Sequence, residues 1–166
     1  MDRVIGPYRA WRASLRDGLG SLQEAASALA DGRWDDGRAG LERALAWVNG
    51  VLLPACRAEE FTLFPTVDGV VGQPGSCLPL ERQHDALRDM GSDLAKLAEA
   101  AANDGRPDAY AEYLAALLYA LWGVARVHLD AEDAVFLPML DDHLSESQVN
   151  VLVENSERIV AATASS

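Results

Sequence analysis

Apolar residues recur at intervals of three and four along four successive stretches of this chain, and that regularity decides its fold class. In the first stretch they fall at Tyr8, Trp11, Leu15, Leu19, Leu22, Ala26 and Leu29. The second carries Leu41, Leu45, Val48, Leu52, Cys56 and Leu63, with Glu59 in the same row. In the third, His84 shares a stripe with Leu87 and Leu94. The fourth runs Leu114, Leu117, Leu121, Val124, His128, Glu132 and Val135. A period near 3.6 lays such residues along one side of an α-helix, so each stretch is predicted to be an amphipathic helix. Abundant Ala and Leu, with few β-branched residues, pull the same way.

Punctuation residues set the expected boundaries. Pro7 suits a first helical position, and Gly32 suits a helix C-terminus. A second helix starts at Trp34 or Asp35, kinks near Gly50 because Asn49, Gly50 and Pro54 fall inside it, and closes at Pro65. The segment from Thr66 to Pro79 holds three Gly and two Pro and reads as a loop. The third helix spans about Leu80–Ala102 and ends in an Asn103-Asp104-Gly105 turn. The fourth begins at Pro107 and Asp108 and runs to about Leu140. Ser145 and Gln148 have capping-box spacing and open a short C-terminal helix over 145–162. Residues Thr163 to Ser166 are expected to fray. The prediction is an all-α, antiparallel four-helix bundle in one domain, 1–166, made of two helical hairpins (about 7–65 and 80–140) and the C-terminal helix.

Charge narrows the partners. With 26 acidic against 14 basic side chains the net charge is −12. Such a surface repels phosphate backbones, so no nucleic-acid partner is expected. No Lys/Arg run would hold an anionic membrane, and no segment is read as reaching the roughly 18–20 apolar residues that span a bilayer. Met1–Ile5 has early charges and no apolar run behind it, unlike a signal peptide. The expected location is therefore cytoplasmic, with Cys56 and Cys77 as free thiols; a monomer or homodimer is expected. No CxxC spacing, phosphate loop or Ser/His/Asp arrangement is visible.

The two halves of the chain resemble each other. Ala55 through Pro65 matches His128 through Pro138, so that Glu59 aligns with Glu132 and Ala55 with His128. Upstream, Arg12 to Asp17 matches His84 to Asp89. The separations agree, with 43 residues from Arg12 to Ala55 and 44 from His84 to His128. Each hairpin thus has one special position on its first helix and an i, i+4 pair on its second, and such a pair shares one helical face. Pseudo-symmetry brings Glu59, His84, His128 and Glu132 to one level of the core. Two imidazoles and two carboxylates suit iron, manganese or zinc, and bare carboxylates buried there need a neutralising partner.

The strings Glu59-Glu60-x-x-Leu63-Phe64-Pro65 and His128-x-x-x-Glu132-Asp133-x-x-Phe136-Leu137-Pro138 resemble the hemerythrin-like, HHE-type cation-binding family over nearly the whole chain. The resemblance implies a diiron bundle that binds oxygen or handles peroxide, with a His on the first helix, His-x-x-x-Glu on the second, a His on the third and His-x-x-x-Glu on the fourth. Here the first of those histidines aligns with Arg12 and the second with Ala55. Both histidines of one iron are absent and both of the other are present. The leading expectation is one ion, iron or another transition metal, held by His84, His128, Glu132 and Glu59, with an oxidant as partner. Arg12 then pairs with Glu59 in the vacated half.

Two alternatives stay open. In one, the bundle holds no metal, two imidazolium ions balance two carboxylates, and a pocket lined by Tyr8, Trp11, Arg12, Ala55 and Cys56 binds a small anionic or aromatic molecule. In the other, the core Glu and His groups act as acid and base in a pathway enzyme. Tyr8 is also a candidate phenolate donor and Cys56 a candidate soft ligand. The acidic run Asp130 to Asp133, Glu132 excepted, reads as a partly solvated face, and His143 as exposed.

Overall fold

The computed structural model describes residues 4–104 and 107–164. The expectations for the extreme N-terminus, Gly105 and the last two serines fall outside that range. Helices α1 (Gly6–Trp11) and α2 (Ala13–Ala30) form the first arm, with a short break at Arg12 that was not foreseen. The second arm is α3 (Trp34–Trp47), a π-helical turn (Val48–Leu52), α4 (Leu53–Phe61) and α5 (Leu63–Val71). The third is α6 (Leu78–Asn103). The fourth is a 3-10 turn (Pro107–Tyr110), α7 (Ala111–Ala131), a second π-helical turn (Glu132–Phe136) and α8 (Leu137–His143). Helix α9 (Glu146–Ala164) follows. Among the described residues there is no strand. Helix α2 packs against α3 and α7, α6 packs against α7, α3 and α4, and α9 lies across α4 and α1. The architecture is the all-α bundle read from periodicity.

Several local expectations hold for the reasons given. Gly32 takes a left-handed φ of 74° just past α2, which costs glycine nothing. The kink near Gly50 is the first π-helical turn, directly before Pro54. Ser145 N–H donates to Gln148 Oε1 at 2.9 Å, and Gln148 N–H donates back to Ser145 Oγ at 3.4 Å. Cys56 and Cys77 are both free and buried, and His143 is exposed.

Others need correction. Pro65 does not end the second arm. The chain breaks earlier, at Thr62 (φ −128°, ψ −64°), and Pro65 sits in the first turn of α5. First-turn N–H groups have no intrahelical acceptor, so proline is tolerated there. Helix α5 then runs on to Val71, where Gly72 caps it with a φ of 73°. The expected loop from Thr66 shrinks to the residues between Gly72 and Cys77, closed by Asp68, which accepts Gly75 N–H at 2.8 Å and Ser76 N–H at 2.9 Å. Val135 was placed in the apolar row but is 58% exposed. The π-helical turn that contains it widens the helix and rotates the following residues off the 3.6 register. Thr163 is still helical, its hydroxyl donating to the Ile159 carbonyl at 2.9 Å. The fourth arm also corrects the membrane reading, because the helical stretch Asp108–His143 is long and apolar enough to cross a bilayer. It packs within the bundle against α2 and α6, and it carries the buried pair His128 and Glu132.

The core is divided. One apolar cluster includes Leu15, Leu22, Cys56, Leu87, Leu94 and Leu129. A second includes Tyr8, Leu63, Phe64, Leu80, Leu137 and Leu152. On every arm the chain passes from one cluster to the other across a buried ionisable residue. Arg12 lies between Tyr8 and Leu15, Glu59 between Cys56 and Leu63, His84 between Leu80 and Leu87, and Glu132 between Leu129 and Leu137. A polar layer therefore cuts the bundle into two hydrophobic halves.

Candidate metal centre

Each member of that layer is placed by helical phase. Glu59 comes from α4, His84 from α6, His128 from the last turn of α7, and Glu132 one turn later at the start of the π-helical turn. All four are buried, Glu132 completely. Their polar atoms converge. His84 Nε2 and His128 Nε2 lie 3.0 Å apart. Glu59 Oε2 lies 3.3 Å from the first and 3.5 Å from the second, and Glu132 Oε2 lies 3.5 Å from His128 Nε2.

The outward sides of the two rings fix what the inward sides can be. His84 Nδ1–H donates to Glu60 Oε1 at 2.9 Å, and Glu60 is held in turn by Arg88 at 2.8 Å. His128 Nδ1–H donates to Gln83 Oε1 at 3.1 Å. In its neutral form, with the one N–H at Nδ1, each ring presents an Nε2 lone pair to the centre. Two nitrogen lone pairs and a carboxylate oxygen at these separations repel unless a proton or a cation sits among them. Phe64 stacks on His84, with ring centroids 5.1 Å apart, and shields that side.

Arg12 supplies one positive charge. Its Nε donates to Glu59 Oε1 at 3.3 Å, Nη1 donates to Asp133 Oδ1 at 2.8 Å, and Nη2 donates to Glu132 Oε2. The half of the layer that lacks histidines is thus filled by a guanidinium. The open pocket expected there, walled by Tyr8, Trp11, Arg12, Ala55 and Cys56, is closed. Arg12, Tyr8, Ala55 and Cys56 are all buried, and half-buried Trp11 lies against Tyr8, ring centroids 5.2 Å apart. Burial and the charge on Glu59 hold the Tyr8 hydroxyl well above its ordinary pKa. That hydroxyl has no hydrogen-bond partner at standard geometry; Ser156 is the polar side chain close enough to influence it.

One guanidinium faces two buried carboxylates, and the two respond differently. Burial pushes Glu132 up to about 7, reinforced by the charge on Glu59 and opposed by Arg12 and His128. Burial also opposes ionisation of Glu59, but contacts with His128, His84 and Arg12 outweigh it and hold Glu59 well below the usual carboxylate range. Glu132 Oε1 is buried with no partner.

The donor set fits a cation. Imidazole nitrogens bonded to one metal at about 2.0–2.1 Å sit roughly 3 Å apart when the bonds are near right angles. Glu59, His128 and Glu132 form one group of donors mutually within 4.8 Å, and Cys56, Glu59 and His84 form another. Glu60, Gln83 and Asp133 were missed as parts of the site, although each directly precedes or follows a residue that was named. Asp133 is only 25% exposed and also pairs with Arg9 and Arg16, so it is no solvated surface acid. A signal was present. Both repeats carry an acidic pair, and in each the second acid braces the polar layer, Glu60 through His84 and Asp133 through Arg12.

The family model for the hemerythrin HHE cation binding domain matches residues 13–159. No curated protein and no solved structure matches.

Proposed function

The chain belongs to the hemerythrin HHE cation binding domain family, and on that premise we propose that it holds a single transition-metal ion among His84, His128 and Glu59, with Glu132 beside them. The observation that carries this reading is the pair of imidazole Nε2 atoms facing each other at 3.0 Å, each ring locked from behind by an acceptor at Nδ1. Metal-binding histidines are commonly oriented by such outer acceptors. Arg12 takes the place of a second ion by supplying fixed positive charge to Glu59 and Glu132.

Iron bound there supplies one-electron chemistry and open positions for oxygen or peroxide. The protein's own groups do the rest. Phe64 and the two apolar clusters exclude water. Arg12 keeps both carboxylates oriented. Glu132 Oε1, unpartnered and in a group that titrates near neutrality, is placed to hold or release a proton. A cavity of about 450 Å³ lined by Asn49, Arg57, Phe61 and Arg88 includes Glu60, the side chain behind His84.

Elemental analysis of protein purified without chelator tests the reading. About one ion per chain is expected, lost in His128→Ala; a metal-free wild type would overturn it. The triple engagement of Arg12 favours one competing reading, a metal-free bundle. Thermal-shift measurements separate the two, because a ligand raises the melting temperature only if the folded state binds it. Stabilisation by metal ions supports the centre; no shift with any transition metal supports the competitor.

A further inference from the structure

We infer that Cys56 is a ligand of this centre, so that the ion takes a thiolate sulfur beside the Glu59 carboxylate and the His84 imidazole. The inference rests on the metal reading above and extends it to a donor of a different chemical class.

Helix α4 presents Cys56 and Glu59 one turn apart on the same side, the i, i+3 relation. The Cys56 sulfur, a Glu59 carboxylate oxygen and a His84 ring nitrogen lie mutually within 4.8 Å, and all three residues are buried. Glu59 belongs as well to the second donor group, with His128 and Glu132, and His128 Nε2 lies 3.0 Å from His84 Nε2. Glu132, the other candidate donor, has its Oε2 bonded to Arg12, while its Oε1 is unpartnered. Cys56 lies one residue past Ala55, the position that aligns with His128, so α4 brings a sulfur and an oxygen where α7 and its π-helical turn bring a nitrogen and an oxygen. A sulfur beside oxygen and nitrogen donors suits zinc or other transition ions that accept thiolate, and it disfavours magnesium and manganese. On binding, the Cys56 thiol gives its proton to solvent and its sulfur electron pair to the ion, with no change in oxidation state.

The second thiol provides an internal control. Cys77 precedes α6, packs in the other apolar cluster with Leu80 and Phe64, and belongs to neither donor group.

Cobalt(II) is the probe. The wild type is titrated under anaerobic conditions beside Cys56→Ser and Cys77→Ser, recording near-ultraviolet sulfur-to-cobalt charge transfer, visible ligand-field bands and bound cobalt. The expected result is a charge-transfer band in the wild type and in Cys77→Ser. Cys56→Ser should lose that band but keep the ligand-field bands, with zinc affinity weakened roughly tenfold or more. Cobalt bound with identical near-ultraviolet spectra in all three proteins overturns the role of Cys56 and leaves the metal reading standing. No cobalt or zinc bound by folded wild type overturns both. Should Cys56→Ser fail to fold, zinc-edge X-ray absorption on the wild type decides: a sulfur scatterer supports the assignment, and a shell of nitrogen and oxygen alone refutes it.

Discussion

Replacing Arg12 by Met tests whether the guanidinium acts as the layer's built-in cation, because Met keeps most of the apolar stem and removes the charge. Three carboxylates lose a donor. Asp133 keeps Arg16 and Arg9 as partners and is partly exposed, so it adds little to the cost. Glu59 and Glu132 are buried and are left without their cationic partner. Breaking a buried pair from one side costs about 3–5 kcal/mol. For a chain of this length that corresponds to a fall in Tm of very roughly 6–20 °C.

The pH dependence is the sharper signature. With Arg12 present, Glu132 already titrates at about 7, against 4.5 for an unperturbed carboxyl. Without Arg12 its proton is held more tightly still. The folded variant then binds more protons than the unfolded chain above pH 4.5. Its stability is therefore greatest at low pH and declines as pH rises through the folded value. Urea unfolding of metal-free protein, followed by circular dichroism at pH 5 and pH 8, reads this directly. The gap between wild type and Arg12→Met should be full at pH 8 and smaller at pH 5, where the Glu132 part is lost and the Glu59 part remains. A loss under about 1 kcal/mol at pH 8, or an equal loss at both pH values, would refute the idea that Arg12 neutralises this layer.

Three further outcomes are expected. Glu60→Ala removes the acceptor behind His84 Nδ1 and should weaken metal binding about 10–100-fold, read by competition with a chromogenic chelator; an unchanged affinity would detach Glu60 from the site. Because Glu132 keeps its proton below about 7, metal affinity should fall as pH drops through that value, with protons released on binding; calorimetry in buffers of different ionisation heat detects them, and a flat profile from pH 6 to 8 contradicts the assignment. Gly40→Ala would put a Cβ 2.9 Å from Ala25 Cβ and 3.0 Å from Ala25 Cα, where α2 and α3 touch; overpacking against backbone should cost about 1–3 kcal/mol, and a neutral urea midpoint would show that the helices can part.

Much of this protein was legible as one dimension of text. The spacing of Leu15, Leu22, Leu87 and Leu121 dictated helices. The aligned acidic pairs at Glu59-Glu60 and Glu132-Asp133 picked out the level at which charge enters the core. Periodicity carries that information because burying one face of a helix constrains every third or fourth residue, whatever the neighbouring helices are. The pairing of Arg12 with Glu59 followed from charge balance at that level.

What the chain alone left undecided depended on contacts between arms. Val135 left the apolar row because a π-helical turn, not a regular one, carries the chain from Glu132 to Phe136. Pro65 continues a helix because the break falls at Thr62, before it. Asp133 binds Arg12, Glu60 binds His84 and Gln83 binds His128 across gaps that no single helix spans. Those pairings hold each ring with its Nε2 facing the centre. A sequence specifies which side of a helix is wet or dry; only the assembled bundle decides which buried atoms meet, since that depends on the rotation and depth of four arms at once.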